Sequence, residues 1–181
     1  MTLSFDPDML TLDARHHIGG TAVTGAPGMA LYRPSDGAVL TDSPVAGAEI
    51  VDQVVETARA ALRRSGWGAA PPRDRTRAMH RWADFLEADA PTLARLEAIC
   101  STRPVGQLPA GDIAVTAEQI RFFAEMADKE GGDLVPTAAG ALGMTVTEPY
   151  GASPRSPPGT SRFRWLAGSS DRRSPPATPS C

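Results

Sequence analysis

The sequence has few cysteines and no long apolar run, and each absence excludes a class of protein. Cys100 and Cys181 are the only cysteines of the 181 residues. They are too few for a disulfide framework, and they do not have the spacing of metal ligands. Residues 1–12 contain Asp6 and Asp8 and lack a basic region followed by an apolar stretch, so we predict no signal peptide. No run reaches the length that spans a bilayer. We therefore expect a cytoplasmic chain with no membrane partner.

The charge of the chain is distributed unevenly. The net charge is −3, but residues 152–181 hold five arginines and one aspartate, which gives them +4 and leaves −7 on residues 1–151. An acidic body does not suggest a nucleic-acid partner. The composition, 41% hydrophobic and 22% charged, is that of a globular domain.

A sequence typical of a tight turn follows an N-terminal segment that has no periodic pattern of apolar residues. We predict that residues 1–15 form a flexible leader. Pro34-Ser35-Asp36-Gly37 has proline and glycine where a tight turn favours them, and it separates residues 30–33 from residues 38–40. This arrangement predicts a small N-terminal β-hairpin.

Apolar residues recur at helical spacing through most of residues 50–130, which predicts four helices. Gly66 is placed to cap the first helix, the second covers about residues 73–89, Pro91 begins the third, and Gly131-Gly132 ends the fourth. The predicted apolar faces carry Ile50, Val54, Ala58 and Ala61, then Met79, Trp82, Ala83 and Leu86, then Leu93, Leu96, Ile99 and Cys100, and finally Ile113, Ala117, Ile120, Ala124 and Ala127.

The last part of the chain changes character at about Gly151. Before it, Leu142, Met144 and Val146 alternate with smaller or polar residues, which predicts one late strand. After it, residues 152–181 contain six prolines and seven serines and have neither helical nor strand periodicity. Such a segment buries too little apolar surface to offset the entropy of ordering it, so a disordered tail is expected.

Several short pieces, in this order, resemble the aldehyde dehydrogenase superfamily over nearly all of residues 16–151. Each piece alone is weakly specific, and the order and spacing together carry the resemblance. The pieces are Ile18-Gly19-Gly20, Arg33-Pro34-Ser35-Asp36-Gly37, the segment 55–61 followed by Trp67, Arg75, the segment 82–87, Arg121-Phe122-Phe123-Ala124 with Ala127-Asp128-Lys129, and Glu148-Pro149-Tyr150-Gly151. One departure is Thr102-Arg103-Pro104, where members of the family usually have Gly-Lys-Pro.

The resemblance implies an α/β fold, of which residues 16–151 would be the N-terminal part, mostly helical with the hairpin and one late strand. It also implies a chemistry. In the family a cysteine thiolate attacks an aldehyde, hydride passes to NAD or NADP, and water activated by a glutamate hydrolyses the thioester. The nucleophile, the base and the dinucleotide-binding residues lie beyond the matching region. We therefore predict no catalytic and no cofactor-binding residue in this chain, and no bound cofactor.

The tail is explained by a change of reading frame. The family continues after Glu-Pro-Tyr-Gly with a strand and a Pro-Trp-Asn motif that carries the oxyanion-hole asparagine. The shifted frame joins the third base of each codon to the first two bases of the next codon. From Ser153 onward, this frame can encode AAITPWNFPISMAGWKLGPALAAGNAVV, which resembles that missing segment throughout. The single codon of Trp165 supplies the shifted methionine. We infer a frameshift near residues 151–153, and the alternative is a native disordered tail.

The remaining candidate residues have plain structural interpretations. Cys100 lies on a predicted apolar helix face, where a small buried side chain is more common than a reactive thiol. Cys181 ends the tail. The three histidines, His16, His17 and His80, are interpreted as surface residues, and Gly19-Gly20 and Gly131-Gly132 as turn glycines and not as a phosphate loop.

One metal site is implied by the resemblance. Some family members bind a monovalent cation through backbone oxygens before the Arg33-Pro34 position and through a carboxylate that begins the fourth helix. These positions correspond to Leu31, Tyr32 and Asp112, and a further family ligand lies beyond the break, so the site would be partial. The alternative is that Asp112 only favours its helix N-terminus.

Three interpretations of function follow from the sequence. The first is an inactive N-terminal piece of an aldehyde dehydrogenase from a frameshifted gene, for which an aldehyde is the substrate of the parent family only. The second is an intact dehydrogenase hidden by a sequencing error. The third is a non-catalytic interaction module that joins a full-length homologue. We expect a helical, loosely packed chain that self-associates, because its apolar faces would lack the dinucleotide-binding domain that covers them in the family.

Overall fold

The structure is a computed structural model, and it describes residues 5–101, 103–148 and 151–154. The prediction of a disordered tail falls mostly outside these residues. Within the predicted leader, a short 3-10 turn covers Pro7–Met9. Asp6 caps this turn, since its carboxylate accepts the Asp8 N–H at 3.0 Å.

Two antiparallel hairpins follow the leader. Strands β1 (His16–Ile18) and β2 (Thr21–Val23) pair across Gly19 and Gly20. These glycines have φ angles of 59° and 83°, the conformation that a two-residue hairpin turn needs and that other residues rarely adopt. Both are therefore turn glycines, as the sequence indicates.

The predicted hairpin around residues 34–37 is confirmed, with longer strands. Strand β3 (Ala26–Tyr32) pairs with β4 (Val39–Val45), so the ladder extends beyond the predicted residues. Its register shifts between Ala26 and Met29 and between Leu31 and Tyr32. The Arg33 N–H donates to the Ala38 carbonyl at 2.7 Å, and the Gly37 N–H donates to the Arg33 carbonyl at 2.8 Å. These two bonds close the turn between the strands.

Helix α1 (Ala48–Arg64) contains the predicted apolar residues Ile50, Val54, Ala58 and Ala61, but it buries no residue. Gly66 follows it at φ 67°, as a glycine at the end of a helix commonly does. The apolar residues Val51, Val54, Val55 and Leu62 are 39–50% exposed. These residues adjoin the predicted face, and since no residue of the helix is buried, that apolar face is also uncovered.

The main core lies between helices α2 (Pro72–Ala88) and α4 (Ala114–Glu125). Ala83, Ala117 and Ile120 are fully buried there, and Met79, Trp82 and Leu86 pack against them. The helices are antiparallel, since Thr76 near the start of α2 donates to the Ala124 carbonyl near the end of α4 at 2.9 Å. The alanines allow the two backbones to approach closely, because a methyl group occupies little space between helices.

Helix α3 (Ala90–Cys100) packs on the connection that leads to α4. Pro91 lies in its first turn, as predicted. Ala94, Leu108 and Ile113 form a second buried cluster beneath this connection. The fourth helix, predicted to carry Ile113 in its first turn, is preceded by a π-helical turn over Pro109–Ile113, so Ile113 belongs to that turn.

The late strand is confirmed but is shorter than predicted, and it has a partner. Strand β5 (Leu134–Val135) pairs with β6 (Gly143–Met144) in a two-residue ladder. Gly132 is interpreted as a turn glycine from the sequence, but it lies beside Thr145, where a Cβ would stand 1.8 Å from the Thr145 carbonyl oxygen. Glycine is needed there for close backbone approach and not for a turn.

Candidate functional site

The most buried ion pair of the described residues joins Arg103 to Asp112. Asp112 is 5% exposed, and the Arg103 Nη1 donates to its Oδ2. The arginine side chain is 40% exposed, so the guanidinium covers the carboxylate from the solvent side. A buried carboxylate requires such a partner, because removing a lone charge from water is costly.

The backbone on both sides holds the two side chains in position. The Thr116 Oγ1 donates to the Asp112 carbonyl at 2.6 Å, and the Ile113 N–H closes the π turn on the Leu108 carbonyl at 3.1 Å. On the other side, the Arg103 N–H donates to the Ser101 Oγ at 3.4 Å, and this hydroxyl donates to the Glu97 carbonyl at 2.8 Å. The end of α3 and the start of α4 thus hold both ends of the connection between them.

The predicted cation ligands lie on different elements. Leu31 and Tyr32 belong to β3, whereas Asp112 belongs to the π turn before α4. The contacts described for Asp112 are with Arg103 and Thr116, and neither belongs to the predicted ligand set. Asp112, the only charged residue among the three predicted ligands, already pairs with the Arg103 guanidinium. Binding a second cation to this carboxylate is unfavourable, because like charges repel. The cation site stays a prediction, and Arg103 competes with it.

The structure places four of the remaining sequence candidates. Cys100 is the last residue of α3 and is half-buried, which is more exposed than the sequence predicts. His17 Nε2 lies 3.9 Å from Asp13 Oδ2, and His80 Nε2 lies 3.0 Å from Glu125 Oε1. Nε2 of His16, in β1, is buried and has no hydrogen-bond partner among the described residues. Cys181 lies outside the described residues.

A second charged cluster joins the leader to the hairpin turn, and the sequence does not reveal it. Arg33 is 6% exposed. Its guanidinium donates to Asp36 at 2.8 Å and to Asp8 at 2.9 Å. The guanidinium, with help from the Ala38 N–H, lowers the pKa of Asp36 to about 2. This cluster anchors the turn and attaches the Pro7–Met9 segment to it.

The described residues contain no group of three or more His, Cys, Asp or Glu side chains arranged to hold a metal ion. In the same part of the chain, no helix combines the length and the apolar character needed to cross a membrane.

Comparison with known proteins identifies the family. Residues 22–154 match the aldehyde dehydrogenase family model. This match covers most of the chain, and the chain therefore belongs to the aldehyde dehydrogenase family.

Individual relatives are similar over a large part of this chain. The NADP/NAD-dependent aldehyde dehydrogenase PuuC of Escherichia coli (strain K12) is 34% identical over 101 residues, which is 56% of this chain and 20% of that protein. Phenylacetaldehyde dehydrogenase of Pseudomonas fluorescens is 35% identical over 124 residues, 67% of this chain and 25% of that protein.

A solved structure agrees with the fold. A mutant of the P. syringae indole-3-acetaldehyde dehydrogenase AldA, in complex with NAD+ and IAA, has a TM-score of 0.72 and 28% identity, covering 79% of this chain and 29% of that one. The chain thus spans about a fifth to three tenths of the length of these relatives.

Proposed function

We propose that this chain supplies the N-terminal scaffold of an NAD(P)-dependent aldehyde dehydrogenase and that its 181 residues alone do not oxidise an aldehyde. Family membership supports the reaction class. The names of two relatives support the cofactor, since one is described as NADP/NAD-dependent and another is complexed with NAD+. The aldehyde itself and a cytoplasmic location stay predictions.

The observation that carries the scaffold role is the large apolar surface that the described residues leave uncovered. The apolar face of α1, defined here as Val51, Val54, Val55 and Leu62, is half exposed along the whole helix. We define the late hairpin as residues 134–146, which include β5 and β6. In it, Leu134, Leu142 and Val146 are more than 70% exposed. Several exposed apolar side chains on one element are typical of a face that another domain or subunit covers.

The absence of activity has a chemical reason. Thioester formation needs a thiolate, and a reactive cysteine lies in an electropositive, accessible setting with a base nearby. Cys100 ends an α-helix that contributes to a buried cluster, and it is itself half-buried. This position is that of a structural cysteine and differs from the accessible setting of a nucleophile.

A direct assay tests this proposal. Purified 181-residue chain is mixed with NAD or NADP and a panel of aliphatic and aromatic aldehydes, and NADH or NADPH formation is followed by absorbance. We expect no formation above a protein-free blank, while an intact family member under the same conditions provides the positive control. Turnover by this chain that Cys100→Ser abolishes would contradict the proposal.

A second candidate function is a non-catalytic module that joins an intact family subunit. The late hairpin favours it, because a short two-stranded sheet with exposed Leu142, Met144 and Val146 offers an edge to another strand. Tagged chain would be incubated with a full-length family member and captured. Co-capture that a Val146→Asp variant weakens would support this second function, and the absence of co-capture would exclude it.

We also propose that the reading frame changes near residues 151–153. Support comes from the reversal of charge after residue 151 and from the end of the family match at residue 154. Resequencing the DNA that encodes Tyr150 to Pro158 tests the proposal. DNA that encodes the printed tail, with a shifted frame that continues to encode the family's sequence beyond it, means a real frameshift, whereas resequencing that restores the long frame means a sequence error. DNA that encodes the printed tail without a continuing family-like shifted frame would overturn both.

A further inference from the structure

The connection between α3 and α4 carries two opposite charges whose pairing has a consequence for cation binding. We infer that the Arg103 guanidinium, and not a bound Na⁺ or K⁺, balances the charge of the buried Asp112 carboxylate. The cation site that the family resemblance implies would then be replaced by a side chain of this protein. This pairing is independent of whether the chain oxidises an aldehyde.

The first support is the burial of Asp112. The carboxylate belongs to a residue that is 5% exposed, and the π turn fixes its backbone through the Thr116 hydroxyl and the Leu108 carbonyl. These bonds fix the backbone from which the buried carboxylate extends. A charged carboxylate buried at this position needs a positive partner, because an unpaired buried charge is costly.

The second support is the position of Arg103. It lies nine residues before Asp112, and its N–H is tied to Ser101 at the end of α3. The connection in between is packed on the buried cluster of Ala94, Leu108 and Ile113, with Val105 beside it. The apolar contacts order the connection, so the pairing of the guanidinium with the carboxylate does not carry the entropy cost of closing a flexible loop.

The third support is the chemistry of the side chain. The guanidinium is planar, remains charged at every ordinary pH, and offers several donors to a carboxylate. It neutralises Asp112 from within the chain, so adding a second cation to the same carboxylate would bring two positive charges together. A covalently attached partner also loses less entropy than a free ion.

The test compares salts on the full 181-residue chain. Thermal unfolding is followed in NaCl, KCl and choline chloride at the same ionic strength, about 0.15 M. We expect the midpoint to agree among the three salts for the unmodified chain, because the guanidinium already balances the charge of Asp112. Choline is the reference cation, since it is too large to bind a small-ion site. Arg103→Gln should lower the midpoint in choline chloride by roughly 4–8 °C, and Na⁺ or K⁺ should recover part of this loss.

Three variants make the result specific. Arg103→Lys keeps the charge and should retain most of the midpoint, while Arg103→Gln combined with Asp112→Asn should lose the recovery by Na⁺ or K⁺. Arg77→Gln is the matched control, because Arg77 pairs with Asp74 on the exposed surface of α2 with its side chain 70% exposed. The inference is overturned if Arg103→Gln costs no more than Arg77→Gln, or if Na⁺ or K⁺ raises the midpoint of the unmodified chain.

A second measurement does not depend on a cooperative melt. The line width of the ²³Na NMR signal is measured with the unmodified chain and with Asp112→Asn, since a bound sodium ion relaxes faster than a free one. Equal line widths support the pairing with Arg103. Broadening that Asp112→Asn abolishes and that K⁺ competes away would mean that a cation holds the carboxylate, and the inference would be wrong.

Discussion

At the residue scale, buried or half-buried arginines organise the charges of this chain. Arg33 closes the β3–β4 turn on Asp36 and attaches Asp8 to it, Arg103 covers Asp112, and Arg121 donates to both Glu87 and Asp84. Hydrogen bonds from Arg121 also lower the pKa of Glu87. Arginine suits this role because its fork of donors can serve two carboxylates at once.

The depressed pKa of Asp36 predicts how the hairpin turn responds to acid. The unfolded carboxyl has a pKa of 3.8 and the folded one about 2, so the ionised form favours the folded turn. Its contribution is complete above the unfolded pKa and is lost as the pH falls toward 2. A ¹³C NMR titration of the Asp36 carboxyl should report the depressed value, and Arg33→Gln should raise it toward 3.8.

The control for this titration is Arg77→Gln, which leaves the turn unchanged. A carboxyl of Asp36 that titrates at its ordinary value in the unmodified chain would mean that the Arg33 pair does not form in solution.

At the element scale, the contact between α2 and α4 depends on small residues. Ala83 and Ala117 are fully buried at this contact, and hydrogen bonds from Thr76 and Arg121 also bridge the two helices. The apolar spacing of both helices is readable from the sequence. That they contact each other is not, because residues 83 and 117 are brought together only by the path of α3 and the π turn.

This contact predicts a strong effect of a larger side chain. Ala83→Leu should destabilise the chain by about 1–3 kcal/mol, because the added atoms force the two helices apart. The measurement is urea unfolding, together with amide hydrogen exchange in α2 and α4. Phe85→Leu, at a position that is 71% exposed on the same helix, should change the stability little.

If Ala83→Leu and Phe85→Leu have equal effects, α2 and α4 do not pack as described. Accelerated exchange confined to α2 and α4 in Ala83→Leu would instead support this packing.

At the scale of the whole molecule, the uncovered apolar faces govern behaviour in solution. The α1 face and the late hairpin both remain exposed. Burial of apolar surface contributes about 25 cal/mol per Å², which favours the association of two copies. A short sheet with an open edge adds a site for strand pairing.

We therefore expect the full chain to self-associate as its concentration rises, which light scattering after size exclusion would measure. Leu142→Asp combined with Val146→Asp should shift the chain toward monomer, because both side chains are more than 70% exposed in the late hairpin. Met9→Asp, at a residue of the leader that is 80% exposed, is the control and should leave association unchanged. A monodisperse monomer at all concentrations would contradict this expectation.

The sequence by itself determined the local elements: the turn at residues 34–37, the glycine turn at residues 19–20, the helices with Gly66 after the first, and the change of character after residue 151. The fourth helix ends at Glu125 and not at the predicted Gly131-Gly132. These depend on periodicity and on the conformational preferences of proline and glycine, which act over a few residues. Only the tertiary structure decided that the α2 face is buried while the α1 face is not, that β6 pairs with β5, and that Arg103 meets Asp112. Amphipathic spacing reports which side of an element is apolar, but what covers that side depends on residues distant in the chain.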